Sequence, residues 1–138
     1  MRRLALAALC ITSLTSCISR EQADVKLQKG CKAAIALFME DGNTIHDIKR
    51  TTFKTSTEFG NGFRNLMIFA KISDGWYDQD KEYECVFEEN FGAFSSTHNA
   101  TLYQLKIDDT YYGMKDNMIN GDAVMLIDIE NAVSQAMH

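Results

Sequence analysis

The chain has 138 residues, a formal net charge of −5 and no proline, with 46% hydrophobic and 24% charged side chains. That length fits one domain; the apolar share excludes a wholly disordered chain. The acidic balance argues against a sequence-independent nucleic-acid binder, which needs a basic face. Average usage would supply about seven prolines, so a proline-rich stalk, a PxxP ligand and a collagen-like segment are also excluded.

The chain opens on Met1-Arg2-Arg3, followed by the apolar run from Leu4 to Leu14 and by small residues up to Cys17. A membrane-spanning helix needs about 20 apolar residues, so this run is too short to be a stable span. Residues 1–16 instead read as a secretory signal peptide. Leu14-Thr15-Ser16-Cys17 resembles the lipobox of bacterial lipoproteins: an aliphatic residue, two small residues and the cysteine that is lipidated. The resemblance covers the signal segment alone. It implies cleavage between Ser16 and Cys17, with Cys17 becoming the lipid-bearing N-terminus. An ordinary secretory cleavage near Ser16 and a packed N-terminal helix are the alternatives.

Cys10 follows Leu9 rather than a small residue and is expected to leave with the signal. Ile18 stands where the inner-membrane retention signal of enteric bacteria would place Asp, which favours the outer membrane over the inner, with the body facing the periplasm. Cleavage leaves 122 residues and removes Arg2 and Arg3, taking the net charge from −5 to −7. Such a body cannot adhere to anionic head groups by charge. Acyl chains would hold it, each buried methylene contributing about 0.8 kcal/mol.

Cys31 and Cys85 then remain, and an even pair in an oxidising compartment reads as a disulfide. Closing a loop of that length is worth about 4 kcal/mol in the chain-entropy account. A zinc site falls short of four ligands, and two buried free thiols are the other alternative.

Residues 18–23 read as a short polar tether following Cys17. From Asp24 to Met39 the apolar positions Leu27, Cys31, Ala34, Ile35 and Phe38 form one helical stripe, stopped by Asp41-Gly42-Asn43. Gly30 costs this helix about 1 kcal/mol relative to Ala and leaves room for another backbone. Thr44 to Thr55 reads as an edge strand. Arg64 to Ile72 is apolar on both sides, as in a central strand covered on both faces. Ser73 to Asp80 is a turn around Trp76-Tyr77. Lys81 to Glu88 alternates, placing Tyr83, Cys85 and Phe87 on one face, where Cys85 can meet Cys31 from the helical stripe. Thr101 to Ile107 is a further strand with Thr101, Tyr103, Leu105 and Ile107 on one face. After the turn Asn120-Gly121-Asp122, the C-terminal segment favours a helix, with a buried strand over residues 124–129 as the alternative. The expected fold is α+β: a single domain over residues 24–138, with an N-terminal helix on an antiparallel sheet of three to five strands, closed by a C-terminal helix.

Catalytic motifs are lacking. His46, His98 and His138 are far apart in polar surroundings and read as solvated surface residues. The acidic run Asp74, Asp78, Asp80, Glu82 and Glu84 lacks the turn glycine of an EF-hand loop, Asp116-Asn117 with Asn120-Gly121-Asp122 is a similar weak echo of a cation loop, and both read mainly as a solvated face or turn. No cofactor and no metal site is implied. The aromatic residues in or near loops read either as loop side chains folded down onto a small core or as interface anchors; if a binding surface exists, the candidate is Trp76-Tyr77 with Tyr111-Tyr112. The expectation is a small, non-enzymatic, membrane-anchored lipoprotein of the cell envelope that binds a protein or envelope component. The alternatives are an envelope hydrolase or metal-dependent enzyme whose acids or histidines meet only in the fold, and a purely structural lipoprotein.

Overall fold

The computed structural model describes residues 17–40 and 42–138. The proposed signal peptide, with Cys10 and the first three residues of the lipobox, lies outside the described residues. Helix α1 spans Arg20–Ala36. It starts four residues before the helix expected from Asp24, and the reason is local. Ser19 caps it: its hydroxyl accepts from the Gln22 N–H at 3.2 Å, and the Gln22 side chain accepts from the Ser19 N–H at 2.9 Å. This reciprocal pair satisfies two otherwise free amide groups of the first turn. The polar segment read as a tether is therefore mostly helix, and only Ile18 and Ser19 separate Cys17 from it.

Six strands follow: β1 (Thr44–Ser56), β2 (Gly60–Ser73), β3 (Asp78–Phe91), β4 (His98–Ile107), β5 (Thr110–Lys115) and β6 (Met118–Asn120). They form one antiparallel sheet in the order β1-β2-β3-β4-β5-β6. The expected three to five strands fall short because the β5–β6 hairpin was not anticipated. Its turn residues Asp116 and Asn117 have φ of 52° and 60°, the left-handed pair that tight hairpin turns require. Asp116-Asn117 is thus the turn that is its main reading, between the paired Lys115 and Met118. Helix α2 spans Ala123–Met137, with the Asp122 carboxylate accepting from the N–H groups of Val124 and Met125. The C-terminal segment is thus helix throughout.

Both helices lie on the same face of the sheet and pack against each other, so the C-terminal helix closes the core from beside α1. Between them and the sheet sit Leu27, Cys31, Ala34 and Ile35 of α1, Leu66 and Ile68 of β2, Tyr83, Cys85 and Phe87 of β3, Leu105 of β4, and Ile129 and Val133 of α2. Phe38 falls beyond the end of α1 and packs on Tyr112, the ring centroids 4.3 Å apart. The disulfide between Cys31 and Cys85 joins the middle of α1 to the middle of β3, Cα to Cα 6.0 Å. The period-two and helical stripes place these two cysteines face to face, as their side-chain directions required.

Two strand expectations are corrected. On β2, Leu66, Ile68, Ala70 and Ile72 enter the core, while Met67 and Phe69 lie half-buried on the face that carries no described helix. There the Arg50 guanidinium covers the Phe69 ring at 4.1 Å, and polar neighbours do the work expected of a second layer. On β4 the alternation breaks at a bulge: Val86 faces Gln104 but Phe87 faces Leu102. One extra residue on β4 shifts its facing by one, so Leu102 and Ala100 pack against the core. Tyr103 turns outward and stacks with Phe59 and Phe63 at 5.0 and 4.8 Å.

Candidate functional site

Strand β3 carries the geometry that matters. Its first residue, Asp78, follows the turn that holds Trp76 and Tyr77; its last, Phe91, enters the loop that meets Cys17. Fourteen residues at about 3.3 Å each separate these ends by about 40 Å.

At the first end, β2 and β3 extend past β4, while β1 keeps pace with β2 as far as the pair Thr44–Ser73. Tyr83 faces Ile107, the last residue of β4, so the stretch before it has β2 alone as partner. The turn at the tip is organised by Asp74, whose Oδ1 accepts from the N–H groups of Trp76 and Tyr77, each at 2.8 Å. These two bonds, with that from Tyr77 the stronger influence, hold the Asp74 carboxyl below the usual carboxylate range. Gly75, at φ +91°, supplies the left-handed step. Trp76 and Tyr77 are 89% and 80% exposed. A fixed backbone thus presents two bare aromatic side chains.

Tyr111 and Tyr112 do not join them. Adjacent strand residues face opposite ways. Tyr112 opposes Leu105 and packs on Phe38 over the core, whereas Tyr111 lies on the open face between Lys106 and Lys115, 5.5 and 4.9 Å from its ring centroid. Tyr111 is level with Glu84 through Lys106, about 20 Å short of the tip. Of the four aromatic residues, therefore, only two stand at the tip, and Tyr112 lies half-buried against the core.

The acidic run lies along the open face of β3. Lys71 and Lys49 neutralise Asp78 and Asp80 at 3.6 and 2.7 Å. Among the described residues no three His, Cys, Asp or Glu side chains group as metal ligands would. His46 and His138 are exposed, but His98 is not the surface residue expected. Its side chain is 1% exposed and its Nε2 lies 2.7 Å from a Glu89 oxygen. Glu89 also accepts two bonds from Arg20, at 3.1 and 2.7 Å, and Arg20 reaches Asp24, which accepts in turn from Arg64 at 3.1 and 2.7 Å. This chain of charges ties the first turn of α1 to three strands. Sequence reasoning missed it because its members are spread over 78 positions.

At the second end, Cys17 is exposed and its Sγ lies 3.2 Å from the carbonyl oxygen of Phe94. The Ile18 N–H donates to the Ser95 carbonyl at 2.8 Å. Elsewhere, an apolar cavity of about 230 Å³ lies between β4, β5 and α2, lined by Leu105, Tyr112, Leu126 and Ile129. Among the described residues, no helix is long and apolar enough to cross a membrane. No family model, curated protein or solved structure matches the chain.

Proposed function

We propose that the chain is a small lipid-anchored protein of the bacterial cell envelope, held at Cys17 and binding a protein or envelope component through its β2–β3 hairpin tip. The role is one of binding and not of catalysis. The observation that carries this reading is the exposure of Trp76 and Tyr77 on a turn fixed by Asp74, at the end of β3 remote from Cys17. Large aromatic side chains on a preset backbone lose little freedom on binding and are frequent interface anchors. An anchor at the opposite end leaves them facing away from the bilayer. The lipobox supports the anchor, the two surviving cysteines support an oxidising compartment, and Ile18 supports the outer membrane.

Two experiments test the two halves. Cells expressing the full chain are labelled with a palmitate analogue: wild type takes up label and Cys17→Ser does not, whereas equal labelling removes the anchor. Crosslinking in intact cells then compares wild type with Trp76→Ala/Tyr77→Ala. Loss of a specific crosslinked partner supports the tip as the binding surface; an unchanged partner set removes it.

A further inference from the structure

We propose that the Gly92–Thr97 loop is a membrane-seated foot, in which Phe94 enters the interfacial layer of the bilayer beside the acyl chains on Cys17. This inference rests on the lipid anchor proposed above and adds a second, protein-made contact with the same membrane.

Phe94 is 94% exposed, the most open of the large apolar side chains described. Its backbone is unusual. Phe94 and the next residue, Ser95, both have left-handed φ, 55° and 56°, a conformation that residues with a Cβ adopt at a cost and seldom twice in succession. The loop is nevertheless closed by its own hydrogen bonds: Gly92 N–H to the Thr97 carbonyl at 2.9 Å, Ser95 N–H to the Gly92 carbonyl at 2.9 Å, and Ser96 N–H to the Ala93 carbonyl at 3.1 Å. A strained, well-bonded turn therefore projects a phenyl ring that no described part of the chain covers.

Its neighbour identifies the occupant. The Ile18 N–H bond to Ser95 fixes Cys17 against this loop. Lipidation would convert the Cys17 thiol to a thioether and remove the S–H that faces the Phe94 carbonyl, but the Ile18 bond involves main chain only and survives. Acyl chains would thus leave the protein at the point where Phe94 projects. The chemistry of the loop agrees. Gly92-Ala93-Phe94-Ser95-Ser96-Thr97 carries no charge, and nearby Arg20 is held by Glu89 and Asp24. An apolar ring ringed by hydroxyl side chains suits the head-group boundary, where apolar side chains of peripheral proteins insert to a shallow depth. The acidic stripe of β3 begins at the other end of the strand.

The single tryptophan of the chain makes the test direct. The full chain is produced with its lipid as wild type and as Trp76→Phe/Phe94→Trp, and palmitate-analogue labelling of each is scored first. Both are reconstituted in phosphatidylethanolamine–phosphatidylglycerol vesicles containing lipid brominated near the top of the acyl chain. The indole introduced by Phe94→Trp is expected to lose at least half its fluorescence and to emit further to the blue, while wild-type Trp76 keeps its intensity. Labelled protein whose introduced indole is unquenched overturns the foot and leaves the anchor standing. Unlabelled protein overturns the anchor and the foot with it.

Discussion

A Cβ placed on Gly113 would lie 2.5 Å from the carbonyl oxygen of Tyr103, the residue that bulges β4. Gly113 itself has φ +91°, so the hairpin partner of the bulge is glycine for two independent reasons, conformation and space. Gly113→Ala should accordingly lower stability by about 3 kcal/mol, combining the left-handed penalty with a backbone clash. Gly62→Ala is the control: its φ is +89° but nothing lies within 4 Å of the added carbon, so it should cost only about 1 kcal/mol. Equal urea midpoints for the two variants would contradict the bulge register.

The Cys31–Cys85 bridge spans 54 residues. Replacing both cysteines by Ala should cost about 4 kcal/mol, mainly through the freed unfolded chain. Denaturant titration measures the loss. A thiol count on the denatured, unreduced domain from residue 18 onward should find none.

Asp24 serves two arginines, and Arg64, one of them, has a side chain only 18% exposed. Asp24→Asn keeps the shape but leaves that guanidinium without a counter-charge, which should cost about 2 kcal/mol. The Lys49–Asp80 pair is 44% and 68% exposed, so Lys49→Ala should leave the melting temperature nearly unchanged. Thermal melts of the two variants compare them, and a larger effect at Lys49 would reverse the ranking.

The hairpin tip should be acid-sensitive. Its two amide bonds hold the Asp74 carboxyl below the ordinary value of 3.8. The ordering they supply is thus complete above that value and is lost as pH falls through the lower folded-state value. Trp76 fluorescence anisotropy, flat from pH 7 to about 4, should drop in more acidic solution. Asp74→Ala should show the low value throughout. An acid response that persists in Asp74→Ala would assign the transition to another group.

The elements legible in the sequence are those whose periodicity runs unbroken: the α1 stripe through Leu27, Cys31 and Ile35, and the alternation of Tyr83, Cys85 and Phe87. Together these make the disulfide readable from the sequence. The bulge was hidden because Thr101, Tyr103, Leu105 and Ile107 continue a period of two through the residue that breaks it, and the break is set by the partner strand. The start of α1 was legible in principle, since Ser19 and Gln22 have capping-box spacing, but polar residues after the proposed lipidation site read equally as a tether. For the site, Trp76-Tyr77 stood out as aromatics in a turn. The separation of Tyr111 from Tyr112, the burial of His98 and the adjacency of Phe94 to Cys17 depend on register and chain return, which no local pattern encodes.

The order of the sheet has a consequence for how the chain gets built. Every strand pairs with its immediate neighbour in sequence, so each hairpin can form as soon as its second strand is available, with short loops to close. The helices cannot follow that schedule. Gly30 of α1 meets Met137 and Val133 of α2, at opposite ends of the chain. The first helix to emerge is the last to find its full set of partners, and until then its apolar stripe has only the growing sheet, and its bond to Cys85, to hold it in place.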